Sequence, residues 1–318
     1  MSKSRIFIDG SAGTTGLQLL NRLQKRDDLE LIILNEKNRK DLVARKEAIN
    51  SSDVTFLCLP DDAAREALTL VENKKVKIID ASTAHRTNPD WDYGFAELSL
   101  AHREAIAASK RVANPGCYAS GFIALVYPLV SAKVLGDDYP LTCHAVSGYS
   151  GGGKKMIAEY ESEDKPFECF SPRQYALKQN HKHLAEMQAV CGLKNKPMFN
   201  PIVDDYFCGM VVSVPILSRF LAKRCTLKNV HEILSEHYSG QRFVKVMEIN
   251  GEQTLDGGFL AANTLGGTND MQLFVCGNDE QILLAARLDN LGKGASGAAV
   301  QNLNIMLGLD ERKGLEEF

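Results

Sequence analysis

Read for the alternation of apolar and polar positions, the first third of the chain is a series of short apolar runs separated by stretches of helical spacing. Ile6-Phe7-Ile8 reads as a strand and Leu17 to Leu23 as a helix, and Leu29 to Leu34 and Val54 to Leu59 read as strands again. Ala63 to Val71 has helical spacing, Val76 to Asp80 is a further strand, and Ala101 to Ala108 a helix. This rhythm builds a parallel sheet covered by helices. The longest apolar run, Phe122 to Val130, reads as a buried helix broken by Pro128 and is too short to span a bilayer. After Leu141 strand-like stretches dominate: Thr142 to Val146, Gly209 to Ile216, Phe243 to Ile249, Met271 to Cys276 and Ile282 to Leu288. Helical patterns at Lys154 to Glu161, His181 to Val190 and Val230 to Tyr238 interrupt them. That half predicts a mixed sheet with helices on one face. The tail from Gly294 to Leu309, rich in small residues, reads as one long helix.

Glycines directly after the first strand add chemistry to this pattern. Gly10-Ser11-Ala12-Gly13-Thr14-Thr15-Gly16 opens the first helix. Glycines there permit a tight turn and close backbone approach, and a helix N-terminus suits a pyrophosphate. The spacing is GxxGxxG rather than GxGxxG, so its position after the first strand carries the reading. The end of the second strand bears on the choice of cofactor. An acidic residue there bonds the ribose 2′-hydroxyl of NAD. Here Asn35 stands at the expected strand end, and Lys37, Arg39 and Lys40 can neutralise the 2′-phosphate of NADP. Glu36 would restore the acid with one residue of register. The reading favours NADP. The fold class expected is α/β, a Rossmann-like NADP-binding domain plus an α+β catalytic domain with a mixed sheet.

Composition narrows the partners. The chain has 318 residues, enough for two domains, with 44% hydrophobic and 24% charged residues, an ordinary globular mixture. A net charge of −3 gives no electrostatic reason to expect nucleic acid or an anionic membrane. The eight cysteines show neither paired spacing nor CxxC, which predicts reduced thiols, no structural zinc and no metal. A strand beginning at Arg5 leaves no room for a signal peptide, so a cytoplasmic enzyme is expected.

Cys117 follows Asn114-Pro115-Gly116 and precedes the apolar helix. A thiol at a helix N-terminus is pushed toward the nucleophilic thiolate by the unpaired N–H groups and the macrodipole. Cysteine is also a common core filler, and context alone does not separate the two. Further on, His181-Lys182-His183 and Glu186 lie close together. If that segment is helical, His183 and Glu186 share a face, and the carboxylate can orient the ring for acid–base work. The two histidines also suit metal ligation or an ordinary helix start. Gly148 to Gly152 matches GxSxG, with Ser150 at a nucleophile elbow and Asp204 or Asp205, then His231 or His237, in hydrolase order. That reading leaves the N-terminal glycines unexplained; a glycine loop approaching a ligand, with Lys154 available for an anion, accounts for both.

Taken together these pieces resemble the N-acetyl-gamma-glutamyl-phosphate reductases, in particular their short bacterial type. The matching runs are Gly10 to Gly16, Asp80-Ala-Ser-Thr-Ala-His-Arg86, Ala113-Asn-Pro-Gly-Cys-Tyr118, Ser147 to Lys154, His181 to His183, and Asp289 to Asn302. Ser120 stands where the family usually has threonine and Ala96 where it has proline. The resemblance implies a dinucleotide-binding domain over residues 1–115 and 291–318, and a catalytic and oligomerisation domain over 116–290. It implies Cys117 as nucleophile and His183 as acid–base residue, with Ser82, Ser147, Gly148 and Asn290 along the cofactor. Asn114, His181, Arg86 and Lys154 are expected at the substrate, with Arg173 a further anion-holding candidate. It also implies a small acyl phosphate as substrate and a homodimer or homotetramer. Aspartate-semialdehyde dehydrogenase is the nearer rival, with a different motif around its cysteine. A non-catalytic NADP-binding sensor is the other, and it would need neither Cys117 nor the His183–Glu186 pair.

Overall fold

The computed structural model describes residues 3–318. Packing divides the chain into two units: one holds the chain up to Ala96, Leu100–Gly116 and Ala295–Glu316, the other Glu97–Ser99, Cys117–Gly294 and Glu317–Phe318.

The first unit runs β1 (Ser4–Asp9), α1 (Thr14–Leu23), β2 (Leu29–Ile32), α2 (Leu42–Ser51), β3 (Val54–Leu57), α3 (Asp61–Thr69), β4 (Lys77–Asp80), β5 (Asp92–Tyr93), α4 (Leu100–Ala108) and β6 (Arg111–Ala113). Its six strands are ordered β2-β1-β3-β4-β6-β5, and every pairing is parallel. Side chains alternate across such a sheet. Ile6, Ile8, Phe56 and Ile79 therefore enter one core layer with Leu19 and Leu23. Phe7, Leu57 and Ile78 enter the other with Ile49 and Ala67. The central strand β3 is buried at every position, as a strand covered on both faces must be.

The expected strand over Leu29 to Leu34 stops pairing at Ile32, opposite Phe7. The one over Val54 to Leu59 ends at Leu57, and Pro60 opens α3. α2 escapes a hydrophobic reading because its periodicity is inverted. Leu42 and Val43 are exposed, whereas Arg45 is buried and ion-paired with Asp9. Asp41 caps the helix by accepting from the Ala44 N–H at 2.8 Å.

The second unit runs α5 (Cys117–Ser131), β7 (Thr142–Gly148), α6 (Gly153–Tyr160), β8 (Arg173–Gln174), α7 (His183–Cys191), β9 (Met198–Asp204), β10 (Met210–Leu217), α8 (Leu227–His237), β11 (Val244–Val246), β12 (Met271–Gly277) and β13 (Gln281–Leu288). Its seven strands follow the order β11-β12-β13-β10-β7-β9-β8. The β11–β12 and β7–β9 pairs are parallel and the others antiparallel, a mixed sheet. Helix α5 is apolar almost all round because it packs against α7, α8, β10 and β13. At Gly121 a β-carbon would stand 2.7 Å from a Val212 methyl, so the helix meets the sheet through a residue without one.

Pro128 does not break α5. A proline inside a helix removes the hydrogen bond to the carbonyl four residues back. Here the Ala124 carbonyl accepts instead from the Tyr238 hydroxyl at 2.9 Å, so no buried acceptor is stranded. The tail also differs from one uniform helix. Gly292–Ser296 is a π-helical turn, followed by α9 (Gly297–Met306). α9 enters the first core layer through Ala299, Val300, Leu303 and Met306. Among the described residues no helix is long and apolar enough to cross a membrane.

Candidate active site

The first unit presents a cavity of about 420 Å³ lined by Gly10 to Gly13, Leu34, Arg39, Lys40, Arg45 and the segment Cys58 to Pro60. It lies at the carboxyl ends of β1 and β3, where strand order reverses, the usual ligand crevice of an open parallel sheet. Gly10 has φ +86°, and a β-carbon there would stand 2.3 Å from the Cys58 carbonyl oxygen. A β-carbon on Gly16 would lie 2.3 Å from the Gly10 oxygen. Gly13 precedes α1 with extended backbone and no side-chain cap, so the first N–H groups of α1 remain for an anion. The Thr14 hydroxyl is buried without a protein partner. A cradle that only glycine permits, beside an unused hydroxyl and a helix N-terminus, fits a dinucleotide pyrophosphate over Gly10, Ser11, Ala12, Gly13, Thr14, Thr15 and Gly16.

Arg39 and Lys40 reach this cavity, while Lys37 lies outside its lining. Glu36 does not line the cavity either. Its side chain is 85% exposed and accepts from Arg39 at 3.1 Å. The buried acid near the loop is Asp9, held by Arg45 at 2.9 Å. Burial raises the Asp9 carboxyl above its ordinary range, against the pull of that guanidinium.

At the end of β4, Asp80 accepts from the Ser82 hydroxyl at 2.7 Å and lies 2.6 Å from His85 Nδ1. Arg86 donates to the Asn114 carbonyl at 2.9 Å and the Ala81 carbonyl at 3.1 Å. The Asn114 amide donates to the Ala295 carbonyl at 3.0 Å, and its oxygen accepts from Asn302 at 3.1 Å. Arg86 and Asn114, expected at the substrate, are thus bonded into the turn that leads to Cys117 in the chain.

In the second unit Cys117 is the first residue of α5 and is half-buried. His183 is the first residue of α7, and both it and Glu186, one turn on, are buried. His181 lies just before that helix, and its Nδ1 accepts from the His183 main-chain N–H at 3.1 Å. The rings of His181 and His183 meet edge to face with centroids 4.7 Å apart. Tyr118 completes the cluster, 5.8 Å from His181, 5.9 Å from His183 and 5.2 Å from Phe199. Its hydroxyl accepts from Tyr175 at 3.0 Å. Burial raises both phenols above their ordinary range, so they stay neutral hydrogen-bonding groups. Tyr118 closes the cysteine motif but sequence assigned it no role, and Tyr175 lies in no motif, because the cluster joins α5, the β8 end and the start of α7.

The Gly148 loop is built by backbone contact. A β-carbon there would lie 2.6 Å from the carbonyl oxygens of Tyr206 and Phe207. Ser147 and Ser150 are buried. Asn290 donates to the Ser150 hydroxyl at 3.0 Å and accepts from the Gly209 N–H at 2.8 Å. Ser150 therefore carries an amide partner, while His231 faces the Met247 carbonyl at 2.8 Å and Asp205 pairs with Lys165. That is not a hydrolase triad. Lys154 is exposed in the first turn of α6. Arg173 is occupied by Glu159 at 3.0 Å and Tyr160 at 2.9 Å.

Residues 5–109 match the semialdehyde dehydrogenase NAD binding domain, and residues 117–290 the semialdehyde dehydrogenase dimerisation domain. A Nostoc sp. protein named N-acetyl-gamma-glutamyl-phosphate reductase 2 is 49% identical, over 99% of this chain and 100% of its own length. The chain belongs to the N-acetyl-gamma-glutamyl-phosphate reductase family. A Brucella ovis member is 48% identical over 96% of this chain and 99% of its own. It is accordingly an oxidoreductase with a nicotinamide cofactor, acting on a small molecule. The fold is shared more widely. An aspartate semialdehyde dehydrogenase II structure from Vibrio cholerae, complexed with ASA, superposes with TM-score 0.71 at 16% identity, covering 97% of this chain and 99% of that one. The Francisella tularensis aspartate semialdehyde dehydrogenase gives 0.72 at 16% identity, covering 96% and 100%.

Proposed function

We propose that the chain reduces N-acetyl-L-glutamyl 5-phosphate to N-acetyl-L-glutamate 5-semialdehyde, releasing inorganic phosphate, as a step of L-arginine biosynthesis. The observation that carries the reading is that α5, which opens with Cys117, packs against α7, whose first turn carries the buried His183 and Glu186, with the Tyr118 ring 5.9 Å from that of His183. Cys117 thiolate attacks the acyl carbon, the carbon–oxygen bond to phosphate breaks, and a thioester remains. When bound, NADPH supplies the hydride that the thioester carbon requires. His183 gives a proton to the oxygen of the resulting thiohemiacetal and takes it back as the carbon–sulfur bond breaks. Aldehyde leaves and the thiolate is restored. Cysteine suits both halves, since it attacks well and leaves well. Glu186 holds the imidazole in register for both transfers.

Arg39 and Lys40 in the dinucleotide cavity support preference for NADP over NAD. Lys154, exposed beside the glycine loop, is the better placed of the proposed anion holders. The family's dimerisation domain supports a homodimer or homotetramer assembled through residues 117–290, and the biosynthetic role supports a cytoplasmic enzyme.

The test is the reverse reaction with NADP and phosphate. N-acetylglutamate semialdehyde is expected to be oxidised and aspartate semialdehyde not. Activity with aspartate semialdehyde alone would overturn the substrate, and activity with neither would overturn the enzyme. Cys117→Ala is expected to lower turnover at least about a thousandfold while NADPH still binds.

A further inference from the structure

The segment between β13 and α9 holds a buried charge pair that the reaction itself does not use. Residues Gly292–Ser296 form a π-helical turn. In it the Gly294 N–H donates to the Asp289 carbonyl, five residues back, at 2.9 Å. Such turns are rare and sit where a helix is made to depart from regularity for a local purpose. Two features hold this one. Asp289 accepts from the N–H groups of Gly267 at 2.8 Å and Leu291 at 3.0 Å. Lys293 Nζ lies 2.7 Å from Glu97 Oε1, with the two side chains 3% and 0% exposed. The ammonium also stands 5.7 Å from the centre of the Phe243 ring.

The next residue meets the nucleophile. A β-carbon placed on Gly294 would stand 2.7 Å from Cys117 Cβ and 3.1 Å from Cys117 Cα. Non-bonded carbons settle at about 3.5–4.0 Å. The backbone of Gly294 is thus the wall against which Cys117 rests, and Lys293 is the anchor beside it. An ion pair this deep is weak evidence for stability, because desolvation of both charges offsets their attraction. Its geometric effect is more specific: it pins one turn in one place.

We propose that Lys293, through its pair with Glu97, is a positioning residue for Cys117, fixing the π-helical turn so that Gly294 sets the direction of the thiol. The proposal rests on the reading of Cys117 as the acyl-carrying nucleophile.

A purely structural role would lower stability without changing thiol reactivity, so reactivity is the readout. The rate of Cys117 alkylation by iodoacetamide, followed on its own peptide by mass spectrometry, is measured beside kcat, KM and melting temperature. Gly294→Ala is expected to slow alkylation and kcat by about ten- to a hundredfold, the cost of displacing a reacting group by a fraction of an ångström or more. KM for NADPH is expected to stay near wild type, while the melting temperature falls because the added carbon overpacks the turn, so alkylation is compared at temperatures where both proteins are folded. The double variant Lys293→Met, Glu97→Gln removes the charges without leaving one buried alone. It is expected to fold and to show the same slow alkylation. Should it not fold, the all-apolar pair Lys293→Met, Glu97→Leu takes its place. Alkylation at the wild-type rate, in Gly294→Ala or in the folded charge variant, would overturn the proposal. A wild-type enzyme inert toward the acyl phosphate would sink the substrate assignment and leave the alkylation comparison intact.

Discussion

At His183 the ring is buried at the first position of α7, with Glu186 one turn further on and His181 accepting from its main-chain N–H. For His181 to accept at Nδ1, its own proton must sit on Nε2; that tautomer is part of how the helix start is held. The sequence placed the two histidines and the carboxylate at this site, and the helical register of His183 with Glu186 follows from their spacing. It did not show that His181 serves the backbone, because that depends on where the chain bends before α7. His183→Gln keeps a hydrogen-bonding side chain but loses the proton relay. It is expected to lower kcat by about 10²- to 10⁴-fold, with KM for NADPH unchanged, since His183 does not line the dinucleotide cavity. Stopped-flow turnover across pH checks this: a variant retaining wild-type kcat would remove His183 from the chemistry.

Among elements, α5 shows how far local pattern reaches. Its apolar run was legible, and so was the placement of Cys117 at its start. Its continuity through Pro128 was not, because the replacement partner for the Ala124 carbonyl is Tyr238, which closes α8 far along the chain. Tyr238→Phe leaves that buried carbonyl without its donor. The expected loss is about 1–3 kcal/mol of unfolding free energy, read from urea denaturation, with kcat unaltered at temperatures where the protein is folded. Unchanged stability would mean that the kinked turn satisfies itself. α2 is the opposite case, an element hidden from a hydrophobic reading because it buries Arg45 beside Ala48 and Ile49 while Leu42 and Val43 face solvent.

On the scale of the whole molecule, the end of the chain is tied to its beginning. Arg26, just after α1, donates to Asn304 of α9 at 2.6 Å and to the Lys313 carbonyl at 3.1 Å, and pairs with Asp28. Arg26 and Lys313 beside Asp28 hold its carboxyl well below the ordinary carboxylate range. A carboxylate depressed in the folded state contributes stability that is present above its unfolded pKa, about 3.9, and is lost as pH falls through the folded value. Asp28→Asn is therefore expected to lower the urea midpoint at pH 7, and the gap to wild type is expected to close progressively below about pH 4. A gap independent of pH would show that the aspartate acts by shape alone. The sequence by itself determined the parallel and mixed halves, the glycine cradle at Gly10 to Gly16, and the thiol before a buried helix. Each of these is written in neighbours along the chain. Only the tertiary structure decided that Arg86 and Asn114 brace the turn before Cys117, that Glu36 faces solvent, and that Tyr118 and Tyr175 join the histidines. Hydrogen bonds and ring contacts between distant segments exist only once packing has brought those segments together, and no local periodicity encodes the partner.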